Sequence, residues 1–268
     1  MKRRTFIKKS GMVLGTMAVT PVLGKIDARD ENDFPLMDLH VHTTRGFTIE
    51  HVMDIAKKRS VRFGIVEHPA TWAIKNDADL KKYIERLRQY PVYIGLQPTN
   101  PGWSKNFSPE LLAQLDYILM DPQRVPMRNG EILSIWKFDT YVEDTNEFMA
   151  RYMDYTMEIL ENEPLTIFGW PLFLPVCIAR DYYTLWTDGR MKQIIMATKK
   201  RNIAIEINDM SHTPHEEFIN MAKEQGLKFT FGSDARNQNA GRLSYCKRIA
   251  KQCNLTKEDF YIPERNVG

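Results

Sequence analysis

A short apolar run near residue 40 ends in Asp38-Leu39-His40-Val41-His42, with two imidazoles two residues apart. Alternate side chains of a strand share a face, so His40 and His42 project together, and two neutral imidazoles placed this way can bind one metal ion. An HxH alone is a weak signal, because either ring can equally satisfy a hydrogen bond within a core. Other apolar runs end in the same kinds of group: Glu67-His68-Pro69, Glu206-Ile207-Asn208, and Gly232-Ser233-Asp234-Ala235-Arg236. A carboxylate in a cleft is costly unless it is paired or bound to metal. Convergence of His40, His42, His68, Glu206 and Asp234 on one rim is therefore better explained by a site than by packing.

The elements that must position these groups are legible as a rhythm. Apolar, β-branched runs fall at Leu36 to Val41, Val61 to Val66, Val92 to Leu96, Tyr117 to Met120, Leu165 to Phe168, Ile203 to Ile207 and Lys228 to Phe231. They read as strands buried on both faces. Between them, Thr48 to Arg59, Ala78 to Gln89, Pro109 to Gln114, Thr145 to Glu161, Arg190 to Lys200 and Pro214 to Gln225 carry helical periodicity, and a last helix is expected from about Ala240 to Gln252. Seven βα units in one domain point to an α/β fold, a seven-stranded parallel barrel with its chemistry at the C-terminal strand ends, or an open doubly wound sheet on the same pattern.

Other residues admit simpler explanations. Asp209, His212 and His215 can supply further ligands, but a loop rich in Ser, His and Pro also reads as a solvated helix start. The five tryptophans Trp72, Trp103, Trp136, Trp170 and Trp186 lie in or near strand-to-helix loops, where they pack loops or line a ligand pocket; Trp170 takes a rim position. Cys177, Cys246 and Cys253 form no CxxC pair and read as small buried hydrophobes.

The HxH, the Glu67-His68 pair and the late Gly-Ser-Asp-Ala together resemble the polymerase and histidinol phosphatase (PHP) superfamily, over a stretch from Asp38 to about Arg236. The resemblance implies a distorted seven-stranded β/α barrel carrying divalent metal and hydrolysing phosphate esters. On it His40 and His42 match the family's HxH, Glu67 and His68 its Asp-His pair, and Asp234 the aspartate of its last motif; with Glu206 from the polar strand ends, His40, His42, His68, Asp234 and Glu206 are the metal-ligand candidates, and Glu67 and Arg236 are candidates for the catalytic machinery. Several family ligands are replaced: Gly95-Leu96-Gln97 stands for a Gly-x-Glu, Gln123 for a histidine, Gly169-Trp170-Pro171 for Gly-His-Pro, and Arg236 for a terminal histidine. Glutamine does not bridge two metals as a carboxylate does, and an arginine puts a fixed cation where another metal would sit. The expectation is one zinc, manganese or iron ion and a small anionic substrate held by Arg236, or, alternatively, a non-catalytic barrel that binds a ligand or partner through the former metal rim.

The first residues, Met1-Lys2-Arg3-Arg4-Thr5-Phe6-Ile7-Lys8-Lys9, precede an uncharged, moderately apolar stretch to Gly24 that is broken by Pro21. Arg3 and Arg4 resemble a twin-arginine signal, which implies recognition by the Tat export machinery and a periplasmic or other extracytoplasmic location. An uncleaved anchor or a cytosolic amphipathic tail are the alternatives. The organisation expected is a signal over residues 1–28 and a barrel domain over residues 34–268. Residues 1–25 carry six basic and no acidic side chains, so the formal charge of +3 becomes about −3 for the remainder. Nucleic-acid binding is accordingly not expected, nor a stable membrane span in the mature form.

Overall fold

The computed structural model describes residues 34–265, and the export segment expected over residues 1–28 lies outside them. In chain order the strands are β1 (Met37–Val41), β2 (Arg62–Glu67), β3 (Tyr93–Leu96), β4 (Tyr117–Met120), β5 (Arg124–Pro126), β6 (Ile132–Ser134), β7 (Ile167–Phe168), β8 (Ala204–Asn208) and β9 (Phe229–Gly232). Seven of them close into a parallel barrel in the order β1-β2-β3-β4-β7-β8-β9, with β9 returning to β1. The helices are α1 (Ile49–Arg59), α2 (Asp77–Arg88), α3 (Pro109–Leu112), α4 (Thr145–Asn162), α5 (Tyr182–Leu185), α6 (Asp188–Lys200), α7 (Glu216–Glu224) and α8 (Ser244–Gln252). The expected distorted seven-stranded β/α barrel is thus the fold, and the open doubly wound sheet is not.

The alternation of each strand sorts its residues into two apolar groups. Phe63, Ile65, Ile94, Leu96, Ile205, Ile207, Phe229 and Phe231 join the large core that also holds the buried faces of the helices. Met37, Leu39, Val66, Tyr117, Leu119, Ile167 and Ala204 form a separate cluster that fills the barrel itself. Tyr117 is the widest of these. Its ring lies over Gly95, where an added Cβ would stand 2.5 Å from Tyr117 Cζ, and it also covers Gly64. Its hydroxyl donates to the Leu39 carbonyl across the interior at 2.7 Å. Two glycines thus make room for one large ring that floors the upper barrel.

Above that floor β1 changes register against β2 between Asp38 and Val41. Leu39 therefore belongs to the apolar filling while the next residue, His40, reaches across to β8. Asp38 secures the bend from beneath. Its fully buried carboxylate accepts from Ser233 N at 2.9 Å, Gly241 N at 2.8 Å and His40 N at 3.3 Å, tying β1 to the loop after β9.

Several boundaries differ from the sequence reading for identifiable reasons. The last helix starts at Ser244 rather than Ala240, because Gly241 and Leu243 have φ of +71° and +52°, values an α-helix does not admit. Helix α7 starts at Glu216 behind a cis Thr213-Pro214 bond, leaving Pro214 outside. The β5-β6 hairpin lies within a stretch that carried no expected element, since three-residue strands leave too little pattern to detect. Cys246 and Cys253 are buried as expected, whereas Cys177 is exposed in a 3-10 turn over Val176–Asp181.

Gly95→Ala forces a methyl into the Tyr117 ring and is expected to destabilise the barrel by roughly 1–3 kcal/mol in urea unfolding. An unchanged midpoint would mean that Tyr117 does not fill the space beside Gly95.

Candidate metal centre

All strands of a parallel barrel end on one rim, and here that rim gathers the polar residues. His40 Nε2 and His42 Nε2 each lie 3.4 Å from the same atom, Asp234 Oδ1. Both ring nitrogens are buried and neither has a hydrogen-bond partner. Two donors bound about 2.1 Å from one ion at a tetrahedral angle stand ~3.4 Å apart, which is the spacing of each nitrogen from the aspartate oxygen; all three atoms lie within 4.8 Å of one another. Two histidines from the end of β1 and one aspartate following β9 meet here because the two strands are neighbours in the closed barrel. Asp234 takes a left-handed φ of +48°, the local turn that aims its carboxylate back at β1.

Glu206 stands one step behind this group. Its Oε1 accepts from His40 Nδ1 at 2.6 Å and its Oε2 from the Trp170 backbone N–H at 2.8 Å. Both oxygens are taken, so Glu206 orients the His40 ring, holding the proton on Nδ1 and turning Nε2 toward Asp234. Gly232 permits this approach, since a Cβ there would overlap the Glu206 carboxylate and come within 2.8 Å of His40 Cβ.

His68 and Glu67 form an adjoining group with His42, their ligand atoms within 4.8 Å of one another. The His68 ring stacks on His42 at 5.1 Å and its Nδ1 donates to the Gln97 carbonyl at 2.9 Å. The Glu67 carboxylate accepts from His68 N at 2.8 Å. On the open side Trp72, 71% exposed, lies 5.0 Å from the His68 ring, a contact that the sequence does not announce.

Charge and burial set the protonation of these groups. Burial pulls His42 down to about 3 and His68 to about 4, so both are neutral imidazoles with a lone pair to donate. Burial also works to lower His40, but the carboxylates of Asp234 and Glu206 outweigh it and push it up to about 10, so without metal the ring is a cation and an ion binding at Nε2 must displace the proton there. Burial would raise Asp234, yet His40, His42 and Arg236 together hold its carboxyl well below the usual range. Burial lifts Glu67 above its ordinary value.

Three further replacements are tied up in the protein. Gln97 and Gln123 both donate through Nε2 to one oxygen of Asp121, at 2.7 and 2.8 Å, in a fully buried cluster. Their side chains brace an aspartate and do not present a second ligand set. Asp121 follows the apolar run of β4 directly, and burial raises its carboxyl to about 7. The sequence signal for it is an acid closing a run of four apolar residues. Arg236 donates from Nη1 to Asp234 Oδ1 at 2.6 Å and to the Asp234 carbonyl at 3.1 Å. Its guanidinium therefore borders the oxygen on which the histidines converge. Trp170 is buried, with φ of +46° and its indole 4.5 Å from Phe173.

Asp209, His212 and His215 are not part of either group. Asp209 Oδ1 caps helix α8 through Tyr245 N and Cys246 N at 2.7 and 3.2 Å, His212 stacks on Tyr245, and His215 precedes α7. No family model matches the chain, and no curated protein matches it.

The donor set fits one divalent ion, and it does so on chemistry the protein has already arranged. Purified protein is expected to hold about one equivalent of zinc, manganese or iron by elemental analysis, and His40→Ala with His42→Ala to hold none. Glu206→Gln, which keeps the volume but weakens the hold on His40, should lower affinity by about 10–100-fold. Full affinity in that variant would remove Glu206 from the metal's support. In metal-free protein Asp121 ionises later in the folded state than in the unfolded chain. The stability of wild type relative to Asp121→Asn should therefore fall as pH rises from about 4 to about 7 in urea titrations, and a flat difference would leave Asp121 ionised throughout.

Proposed function

We propose that this chain is a metal-dependent hydrolase of a small-molecule phosphate ester, working through a reduced site of the PHP kind and exported on a twin-arginine signal. The observation that carries the reading is the convergence of His40 Nε2, His42 Nε2 and Asp234 Oδ1, two unpartnered ring nitrogens on one carboxylate oxygen at a barrel's C-terminal rim. His40, His42 and Asp234 would hold the ion, with His68 beside them. A divalent ion there supplies Lewis acidity and an activated water at neutral pH.

The protein's own groups would do the rest. Glu206 keeps a proton on His40 Nδ1 and so keeps Nε2 directed at the ion's position. Arg236, 45% exposed, places a fixed planar cation beside Asp234, where it can receive an anionic oxygen of the substrate in a fork. Glu67, half-buried and raised in pKa by burial, is the carboxyl placed to take up or return a proton next to His68. The export reading rests on Arg3 and Arg4, and among the described residues no helix is long and apolar enough to cross a membrane.

A second reading, a barrel that binds without turning over, has its own support. Gln97 and Gln123 are committed to Asp121, and Arg236 already bonds the oxygen a metal would use. The two readings separate on a panel of phosphomonoesters and phosphodiesters assayed with added zinc, manganese or iron. Hydrolysis by wild type that falls at least about 100-fold in His40→Ala and in Asp234→Asn supports the enzyme. Metal-loaded protein inert on the whole panel would favour the binder. N-terminal sequencing of exported material tests the signal: a new terminus near Gly24 to Ala28 is expected, and an intact Met1 on material outside the cytoplasm would overturn cleavage.

A further inference from the structure

Beside Asp234 the rim opens into a cleft of about 410 Å³, walled by Arg236, Asn237, Asn239, Arg242 and Ser244 on the loop from β9 to α8. Two carboxylates border it: Asp234, which is paired with Arg236, and Asp209, whose Oδ1 accepts from the first amides of α8. Arg242 has no ion-pair or side-chain hydrogen-bond partner among the described residues, and Arg236 uses only Nη1. Two guanidiniums with amide and hydroxyl groups between them form a donor-rich wall suited to an anion.

The position of Arg242 is built in rather than left to a wandering surface loop. Its neighbour Gly241 has a φ of +71° and donates from its backbone N–H to buried Asp38 at 2.8 Å. Ala240 and Leu243 on either side are fully buried, and the Ala240 carbonyl accepts from Arg59. With the backbone bonded at Ala240 and Gly241 and Leu243 buried beyond it, the exposed Arg242 side chain projects from a fixed base. The same Asp38 carboxylate also holds Ser233 N, so one buried acid ties down both the metal rim and the arginine loop.

We propose that this cleft is the subsite for a second anionic group of the substrate, held by Arg242 while the reacting phosphoryl group lies at the His40–His42–Asp234 group, alongside the Arg236 donors that Asp234 does not use. The substrate class is then a small phosphate ester that carries another phosphate or a carboxylate a few bonds away. This rests on the phosphoesterase reading for the identity of the reacting group, but the cleft's own preference for anions does not require the metal or turnover.

The test uses chelator-treated, metal-free protein and inorganic phosphate as the probe, by equilibrium dialysis at low ionic strength. Wild type is expected to bind phosphate, Arg242→Gln to weaken it about tenfold or more, and Arg242→Lys to recover part of it. Arg248→Gln, an exposed arginine outside this cleft, controls for general surface charge and should bind as wild type does. Equal affinity in wild type and Arg242→Gln, equal loss in Arg248→Gln, or no binding by wild type would overturn the subsite. Retained phosphate binding without any hydrolysis by metal-loaded enzyme would instead count against the phosphoesterase reading alone. For an active enzyme, Arg242→Gln should raise KM for a bisphosphate substrate while leaving KM for a simple monophosphate ester unchanged; an equal effect on both would also sink the proposal.

Discussion

A single buried carboxylate, Glu206, organises the upper half of this barrel. Taking a carboxylate fully out of water is costly, and the cost is offset only if its lone pairs are filled by good donors. Glu206 finds two, the imidazole of His40 from the first strand and the amide of Trp170 from the turn after the seventh. Because the partners come from β1 and from the end of β7, the interaction spans the closed barrel and fixes the relative position of strands far apart in sequence. It also decides which nitrogen of His40 is left to face Asp234. The unusual φ of Trp170 and the bare backbone of Gly232 both follow, since each lets a main chain come close to the same acid.

Much of this was legible from residue types and spacing. Strands buried on both faces announce themselves as apolar runs, and all seven barrel strands lie within or beside the runs read from the sequence. The pairing of His40 with His42 follows from a period of two. What local pattern does not convey is which polar group is spent on which. Glu206 reads as a ligand until its partners are known; Asp209, His212 and His215 read either as further ligands or as a helix start, and only their contacts show two of them at helix starts and the third in a ring stack. Gln97 and Gln123 look like losses at separate positions, whereas in space they are one cluster around Asp121. Most of these outcomes depend on contacts between residues tens of positions apart, as between Glu206 and His40, Gln97 and Asp121, or Asp209 and Tyr245, and no short window along the chain contains those.

Arg236 gives the site a character of its own. A guanidinium at 2.6 Å from Asp234 Oδ1 lowers the negative charge that the histidine group offers to a cation. Compared with an all-carboxylate rim, such a site should be selective for ions that accept nitrogen donors and less attractive to hard cations such as magnesium or calcium, which prefer several charged oxygens. The same guanidinium keeps the rim from being strongly anionic, which suits the approach of an anionic ligand.

The ring of Tyr117 has a consequence for how this family of shapes can vary. It fills space left empty by Gly64 and Gly95 on two adjacent strands and hangs from the Leu39 carbonyl on a third. No one of these positions is free to drift: a larger residue at either glycine needs a smaller one at 117, and a smaller one at 117 leaves a hole beneath the histidines. In sequences that diverge from this one, positions 64, 95 and 117 should change as a set, and their joint pattern would mark which descendants kept the same depth of barrel above the floor.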